Sequence, residues 1–447
     1  MIDWAIVGVF LVVLTIGALS TRKFAKSVSG FLAADRCGGR YLISVASSIS
    51  GVGLITVMFL FQIHYDNGFT GQWWSLIVGP MSIMSVILIV TGWVIFRFRQ
   101  TRAMTLPQFF EMRYSRSLRI FTGIVAFLSG ILNFGIFPSI GARFFINFCE
   151  FPHHMTIPGL DVTVSTYALI MVVLLVISVI FTFLGGQIAI MLTDFLQGVF
   201  SYIAFILIIC FLFWTFSKGQ LCETVLSAEP GHSLVNPYDI GKEENFNPIY
   251  YLIGFALSFY IVLAWQGNAG YNCAAKNAHE AKMANILSNW RVLAILPVLY
   301  VLVPLVVHVY MEHPDYSEKA LGANQVLKQT IDDKLVKLIE SDPSRADDYQ
   351  LLSQLSAKDS VRLLKLTEKE DSDVIVEHIS GISLLQSKTP QESKQLAHLL
   401  KDKTSEIKSQ TRLPLVMGRV LPKGLMGIFF AALLAAFIST HNTYLHS

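Results

Sequence analysis

Blocks of about 20 apolar residues recur along this chain of 447 residues and limit its fold more than any other feature. An α-helix rises ~1.5 Å per residue, so ~20 residues cross the ~30 Å hydrocarbon core of a bilayer. Because 53% of the residues are hydrophobic and only 15% are charged, an ordinary soluble domain is excluded. The sequence therefore predicts an all-α polytopic membrane helix bundle with nine spans, at residues 2–20, 41–63, 73–96, 120–147, 163–184, 187–216, 249–267, 291–311 and 424–447.

Basic residues are distributed unevenly between the loops that join these spans. The loops at 21–40 and 97–119 are rich in arginine, whereas those at 64–72 and 148–162 contain no lysine or arginine. The positive-inside rule therefore predicts that the N-terminus lies outside. We expect the protein in the plasma (inner) membrane. We interpret the first apolar block as a span, because it lacks the basic start and the small-residue cleavage site of a signal peptide.

Residues 312–420 differ from the rest of the chain because they are polar and rich in charged residues. Thr389 and Glu392 have the spacing of a capping box at a helix start. Leucine pairs recur at 351–352, 363–364, 384–385 and 399–400, and we expect them to face a small core. The segment is predicted to be a helical insert on the outer side, between a bundle of eight helices at 1–311 and a ninth helix at 421–447. The sequence identifies no partner for it.

Composition and motifs also exclude several other classes of protein. The net charge of +3 is too small to indicate binding to nucleic acid. The five cysteines match no metal or disulfide spacing, and we expect free thiols, although Cys149 and Cys222 could pair on the outer side. The adjacent His153 and His154 lie in a loop, and no nucleophile or phosphate motif is present, so the chain is not expected to be an enzyme.

Asp194 stands alone in a very apolar stretch, shortly after Gly185-Gly186. A carboxylate at membrane depth costs roughly 2.5–3.5 kcal/mol on insertion scales. The default interpretation of such a residue is an ion or proton path. The alternative is a buried acid that a neighbouring helix satisfies with hydrogen bonds.

The second predicted span contains the run Ala46-Ser47-Ser48-Ile49-Ser50-Gly51-Val52-Gly53. Glycine lowers helix stability by about 1 kcal/mol relative to alanine, so two glycines beside three serines allow the helix to break. A break at this depth would free backbone carbonyls, which suit a hard cation such as sodium. Close helix packing through small residues explains the same run equally well.

The last predicted span carries Ser439 and Thr440, with Ala436 three residues before Ser439 on the same face. Two neutral hydroxyl oxygens at this depth suit a monovalent cation whose hydration shell must be replaced. Taken alone, hydroxyls hydrogen-bonded to the carbonyls of their own helix are the simpler explanation.

Five short motifs follow one another along the chain. They are Phe31-Leu32-Ala33-Ala34 with Gly38-Gly39-Arg40, Thr105-Leu106-Pro107-Gln108-Phe109, Gly185-Gly186 through Thr193-Asp194 to Gln197, Cys273-Ala274-Ala275-Lys276-Asn277 with Glu280-Ala281, and Leu421-Pro422-Lys423-Gly424 leading to Ser439-Thr440. In this order, and on these sides of the membrane, they resemble the sodium/solute symporter family. The resemblance covers most of the chain outside the polar insert.

The resemblance implies an inverted-repeat transporter fold of two five-helix repeats, preceded here by one extra N-terminal helix. Because the chain ends at Ser447, within the eighth core helix, the expected fold is C-terminally incomplete and the chain is expected to be a fragment. The family's sodium site maps onto three backbone oxygens and two hydroxyls, those of Ala46, Ile49, Ala436, Ser439 and Thr440. Asp194 would attract the ion along its path without being a direct ligand.

The expected solute contacts differ from those of sugar-carrying members of the family. The positions of their side-chain amides on the first core helix correspond to Ser48 and Gly53, which argues against a sugar pocket of that kind. Tyr260 and Gln266 lie in or beside the substrate-facing stretch of the sixth core helix. Arg143 could meet an anionic solute, but snorkelling of its side chain to the outer interface is the favoured interpretation.

The expected function is therefore sodium-coupled symport. A small organic solute would be imported across the lipid bilayer by alternating access, with Na⁺ as the co-transported ion. Two alternatives stay open: a membrane solute sensor built on the same fold, and a proton-coupled carrier in which Asp194 titrates. The paired hydroxyls at 439–440 favour sodium over a proton.

Overall fold

The computed structural model is a largely helical molecule with two compact units. It describes residues 1–24, 27–77, 87–88, 90–156, 163–228, 230–241, 246–341, 345–356, 359–360, 363, 382 and 389–446. One unit consists of Met1–His308 and Met417–Ser447, and the other of Val309–Val416. The second unit contains most of the segment that the sequence predicts as a polar insert, 312–420.

The helices of the described residues follow one another with few strands between them. In chain order they are α1 (Ile2–Thr21), α2 (Val28–Ala33), α3 (Arg40–Gly51), α4 (Leu54–Ile77), α5 (Trp93–Gln100), α6 (Leu106–Arg113), α7 (Arg116–Cys149), α8 (Thr166–Phe183), α9 (Gly186–Thr215), α10 (Lys218–Leu226), α11 (Pro248–Ala264), α12 (Gln266–Ala274), α13 (Ala278–Glu312), α14 (Ser317–Ser341), α15 (Ala346–Gln354), α16 (Pro390–Val420) and α17 (Leu425–His446). Helices α8 and α9 belong to one helical run that is divided at Gly186, where φ is 56°.

Six of these helices are long and apolar enough to cross a membrane, among the residues described: α1, α7, α8, α9, α13 and α17. The pair α3 and α4 makes a seventh if it is counted as one bent span. The sequence predicts nine. Much of the predicted span 73–96 lies outside the described residues, and the predicted span 249–267 is divided between the short helices α11 and α12.

The second predicted span is broken, as the sequence allows. Helix α3 ends at Gly51, and α4 begins at Leu54 with its axis bent by 59°. Val52 leaves the helical conformation with ψ at 60°. Gly53 lets the last helix approach, because a Cβ at this position would lie 2.8 Å from the Thr440 hydroxyl oxygen. Both explanations of this run therefore hold, since the helix breaks near the two glycines and packs closely against α17 through Gly53.

A second break separates α11 from α12. Trp265 joins the two helices in an extended conformation, with ψ at 112°. The sequence does not predict this break, since the residue at the joint is neither glycine nor proline. Helices α3 and α12 are joined at their ends by a short backbone bridge, in which Gly38 donates to the carbonyl of Ala274 at 2.9 Å and accepts from Lys276 at 2.9 Å.

The only strands among the described residues form a small hairpin. Strands β1 (His154–Thr156) and β2 (Thr163–Ser165) pair antiparallel, with Met155 opposite Val164. The sequence predicts a loop over β1 and the start of a span over β2, so the hairpin is an addition to the all-α architecture.

The unit Val309–Val416 has its own core. Leu352 and Leu363 are fully buried there, and Leu400 is nearly so, together with Leu335 and Tyr349. The leucine pairs therefore face inward wherever the structure describes them. The capping box at the start of α16 is also confirmed, since the Glu392 carboxylate accepts from the backbone of Thr389 at 2.8 Å while the Thr389 hydroxyl accepts from the backbone of Glu392 at 3.3 Å.

Candidate functional site

The break between α3 and α4 lies against the last helix, α17. The Thr440 hydroxyl donates a hydrogen bond to the Ser50 carbonyl at 2.9 Å. Ser50 is in the last turn of α3, where the helix has no continuing partner for its carbonyls. The two elements that the sequence predicts to form an ion site therefore meet in the structure.

Ser439 lies beside this contact and is completely buried. Its hydroxyl makes no hydrogen bond of standard geometry among the described residues, although the Asp194 carboxylate is close enough to act as an acceptor. A buried hydroxyl that lacks a partner costs about 1–3 kcal/mol, so such an atom in a folded protein calls for a ligand or water. The side chain also neighbours the carboxylate of Asp194.

Asp194, on α9, is completely buried and is held by hydrogen bonds from other side chains. The Tyr271 hydroxyl, on α12, donates to its Oδ2, and the Gln197 amide donates to its Oδ1 at 3.1 Å in the orientation that satisfies both amide atoms. The Tyr271 hydroxyl is also 3.1 Å from that of Thr443, on α17. A polar network therefore connects α9, α12 and α17 behind the broken helix.

The network is rich in oxygen atoms and poor in positive charge. The network contains hydroxyls, a backbone carbonyl and one carboxylate, and oxygen donors of this kind suit a hard cation of low charge. Ala46 and Ile49 are both buried on α3, and the Ile49 carbonyl accepts from the backbone of Val52 at 3.0 Å. Ala436 is buried on α17, one turn before Ser439.

The four predicted solute contacts have different surroundings. The Ser48 hydroxyl donates to the Val45 carbonyl at 2.8 Å and accepts from the Tyr202 hydroxyl at 2.8 Å. Gly53 faces Thr440, so packing of α17 explains its small size. The backbones of Tyr260 and Gln266 are helical, but their side chains lie outside the described part of the structure.

Tyr271, Thr443 and Tyr202 contact residues of the candidate site but are absent from the sequence prediction. Thr443 follows Ser439 by four residues and donates to its carbonyl at 2.8 Å, so helical spacing alone could have indicated it. No local signal distinguishes Tyr271 or Tyr202 from the other tyrosines, because their partners are remote in sequence. Arg143 is exposed on α7, with its guanidinium carbon 5.9 Å from the centre of the Tyr167 ring.

Charged residues connect the segments around the start of α3. Arg40 forms an ion pair with Glu280, and the Arg99 guanidinium donates to the Ala275 carbonyl at 2.7 and 2.9 Å. Both contacts lie beside the backbone bridge at Gly38. They tie the start of α3 to α13, and the residue that follows α12 to α5, at loops that the sequence predicts to be inside.

Comparison with known proteins identifies the class to which this fold and site belong. The chain matches the model of the sodium:solute symporter family over residues 31–340. Because this match covers well over half of the chain, the protein belongs to the sodium:solute symporter family, which consists of transporters and not of enzymes.

Individual relatives are more distant. Sodium/proline symporters of Staphylococcus aureus strains JH9 and Newman are each 26% identical over 204 residues, which is 44% of this chain and 37% of the relative. The match thus spans little more than a third of the length of these curated relatives. The solved structure of a Na⁺-coupled sialic acid symporter, in a substrate-bound outward-open state, has a TM-score of 0.58 at 15% identity and covers 100% of this chain and 71% of that chain. This likeness shows a shared fold.

Proposed function

We propose that this protein acts in sodium-coupled symport and imports a small organic solute by alternating access. Membership of the family supports this activity, and one contact carries the proposal: the Thr440 hydroxyl on the Ser50 carbonyl, beside the buried hydroxyl of Ser439. The named solutes of the relatives, proline and sialic acid, are both small organic molecules. They support the class of solute without selecting one for this chain.

In this proposal the sodium ion lies between the end of α3 and the middle of α17. Its ligands are the carbonyl oxygens of Ala46, Ile49 and Ala436 and the hydroxyl oxygens of Ser439 and Thr440. The Thr440 hydroxyl already directs its hydrogen to Ser50, so its lone pairs remain available for a cation. The Ser439 hydroxyl can direct its hydrogen to Asp194, which leaves the lone pairs of its oxygen for the ion.

Asp194 contributes charge and not a ligand atom. Its two oxygens accept hydrogen bonds from Tyr271 and Gln197, which hold the carboxylate close to Ser439. A negative charge at low dielectric attracts a cation over several ångströms. Asp194 would therefore favour sodium on its path to and from the site.

Coupling follows from the position of the ion across the break. Sodium that contacts both α3 and α17 stabilises the state in which these elements are close together, and it can shift the equilibrium only by its difference in affinity between the two states. A membrane potential of 100 mV adds about 2.3 kcal/mol per charge moved. The solute would bind beside the ion, near Ser48, Gly53, Tyr260 and Gln266.

The proposed orientation places the N-terminus and the insert outside the plasma (inner) membrane. The arginines of the loops at 21–40 and 97–119 support it through the positive-inside rule. Sodium would then enter from the outer side, down its gradient.

Uptake measurements with the full-length protein test the proposal. Substituting both Ser439→Ala and Thr440→Ala should remove the dependence of solute uptake on sodium, while Thr215→Ala should not, since the Thr215 hydroxyl only bonds the Phe211 carbonyl in its own helix. Candidate solutes are first screened in sodium and in choline buffers. Sodium dependence that survives the double substitution would rule out this site.

Proton coupling is the second candidate, and the buried contact between Asp194 and Tyr271 is the observation that favours it. If a proton replaces sodium, uptake in choline buffer should rise when the outer pH is lowered, and Asp194→Asn should abolish this response. If sodium is the coupling ion, lowering the outer pH should not drive uptake in choline buffer.

A further inference from the structure

The N-terminal helix α1 contacts the start of α17 through one carboxylate. Oδ1 of Asp3 accepts hydrogen bonds from the backbone N–H groups of Gly424 and Gly427, at 2.7 and 2.8 Å. These N–H groups lie at the beginning of α17, where no preceding carbonyl of the same helix is available. Asp3 thus caps a helix that lies more than 400 residues further along the chain.

Charge and shape both favour this contact. The N-terminal end of a helix carries a partial positive charge, so a carboxylate there is favourable. Gly427 permits the close approach, because a Cβ at this position would lie 2.6 Å from the Cα of Asp3. Any larger residue would force α1 and α17 apart.

Aromatic rings pack next to the cap. The Trp4 ring lies 5.5 Å from that of Phe430, on α17, in an edge arrangement, and 5.9 Å from that of Phe151 in a stacked one. Phe430 also packs on Phe145, on α7, at 4.4 Å. The start of α17 is therefore held by an ionic cap and by aromatic contacts on adjacent faces.

One unbroken helix connects the start of α17 to the candidate ion site. Thr440 lies 15 residues after Leu425, or about 22 Å along a helix, and α17 is unbroken over this length. A continuous helix transmits an axial shift along its whole length, whereas a hydrogen bond such as that between Thr440 and Ser50 tolerates only a few tenths of an ångström. The position of Asp3 therefore affects the distance between α17 and the broken helix.

We infer that Asp3 is a positioning residue for sodium binding. By capping α17, Asp3 fixes the axial position at which Ser439 and Thr440 face the end of α3. The extra N-terminal helix thus contributes to sodium binding. This inference rests on the proposed function, because it requires that sodium binds at those hydroxyls.

The experiment compares sodium and solute half-saturation in uptake by the full-length protein. Asp3→Leu keeps the size of the side chain but removes the acceptor, and should raise the sodium concentration for half-maximal uptake about fivefold, the effect of a typical helix cap. Asp3→Asn keeps one acceptor oxygen and should give a smaller rise. Thr15→Ala on the same helix is the matched control, because the Thr15 hydroxyl bonds only the Leu11 carbonyl in α1.

A second variant covers the case in which Asp3→Leu fails to reach the membrane. Gly427→Ala keeps the Asp3 carboxylate in the protein but pushes it away from the start of α17. This substitution should also raise the sodium concentration for half-maximal uptake. The inference is overturned if a variant that reaches the membrane, Asp3→Leu or Gly427→Ala, has the sodium half-saturation of the wild type, or if Asp3→Asn is impaired as much as Asp3→Leu. Wild-type uptake that does not depend on sodium would instead overturn the proposed function.

Discussion

The Thr440 hydroxyl donates to the Ser50 carbonyl across the break between α3 and α4, at 2.9 Å. This bond joins residues 390 positions apart, since Ser50 lies in the last turn of α3 and Thr440 lies within α17. It is also the place where the structure brings together the two segments that the sequence marks as unusual for membrane helices. The proposed ion site depends on this closeness, and the following predictions test it.

Gly53 should be essential for the approach of α17. In Gly53→Ala the new Cβ would lie 2.8 Å from the Thr440 oxygen, and overpacking of this kind costs about 1–3 kcal/mol, or roughly 5- to 150-fold in sodium affinity. Sodium half-saturation of uptake is the measurement. Gly51→Ala is the control, since a Cβ there would meet no atom within 4 Å. Equal effects of the two substitutions would show that glycine is needed for helix flexibility and not for this contact.

Asp194→Asn should weaken sodium binding about tenfold or more, because the amide keeps the shape but loses the charge that attracts the ion. The solute half-saturation at saturating sodium should change much less. Glu223→Gln, on the exposed surface of α10, removes one negative charge elsewhere and serves as the control. If the two variants have the same sodium half-saturation, the carboxylate does not act on the ion.

Tyr271→Phe should destabilise the protein without removing any charge. The Asp194 carboxylate would lose a charge-assisted hydrogen bond, at a cost of about 1.5–3 kcal/mol. Thermal unfolding of the purified protein should therefore begin at a lower temperature, and added sodium should recover part of the loss. An unchanged unfolding temperature would contradict the network described here.

Labelling of single-cysteine variants tests the orientation. Cys37 and Cys222 are both exposed free thiols, in loops predicted to lie inside and outside, respectively. A membrane-impermeant maleimide should label Cys222 in intact cells and Cys37 only after permeabilisation. The reverse pattern would invert the proposed direction of sodium entry.

The folding stability of the insert should depend on its own core of leucine side chains. Leu352→Ala removes a fully buried side chain and should cost about 2–5 kcal/mol, whereas Leu321→Ala changes a side chain that is 62% exposed. Limited proteolysis of the full-length protein in membranes should cut the Leu352→Ala insert much faster than the wild type. Equal rates for both variants would contradict a packed core at Leu352.

Much of the fold is predictable because hydropathy is a sum over many residues. Helices α1, α7, α8, α9 and α17 all lie close to predicted spans, since each needs only enough apolar surface to cross a bilayer. The break at 52–53 is predictable because glycine weakens a helix locally. The break at Trp265 is not, since the residue carries no such weakness and the surrounding packing must determine it.

The candidate site is only partly predictable for a related reason. Ser439, Thr440 and Asp194 stand out because polar residues are rare in apolar stretches. Tyr271 and Gln197 contact residues of helices far apart in sequence, Asp194 and Ala435 respectively. Composition does not predict such contacts. The resemblance to the family implies the ligand set, whereas the cap that Asp3 provides to α17 depends on a contact that no sequence pattern indicates.

Binding of radioactive sodium to the purified full-length protein, without solute, tests the central claim most directly. The wild type should bind sodium saturably, and the variant with both Ser439→Ala and Thr440→Ala should bind at least about tenfold more weakly, because two of five proposed oxygen ligands are lost. Thr215→Ala should bind like the wild type. Sodium binding of undiminished affinity in the double variant would contradict an ion site between α3 and α17.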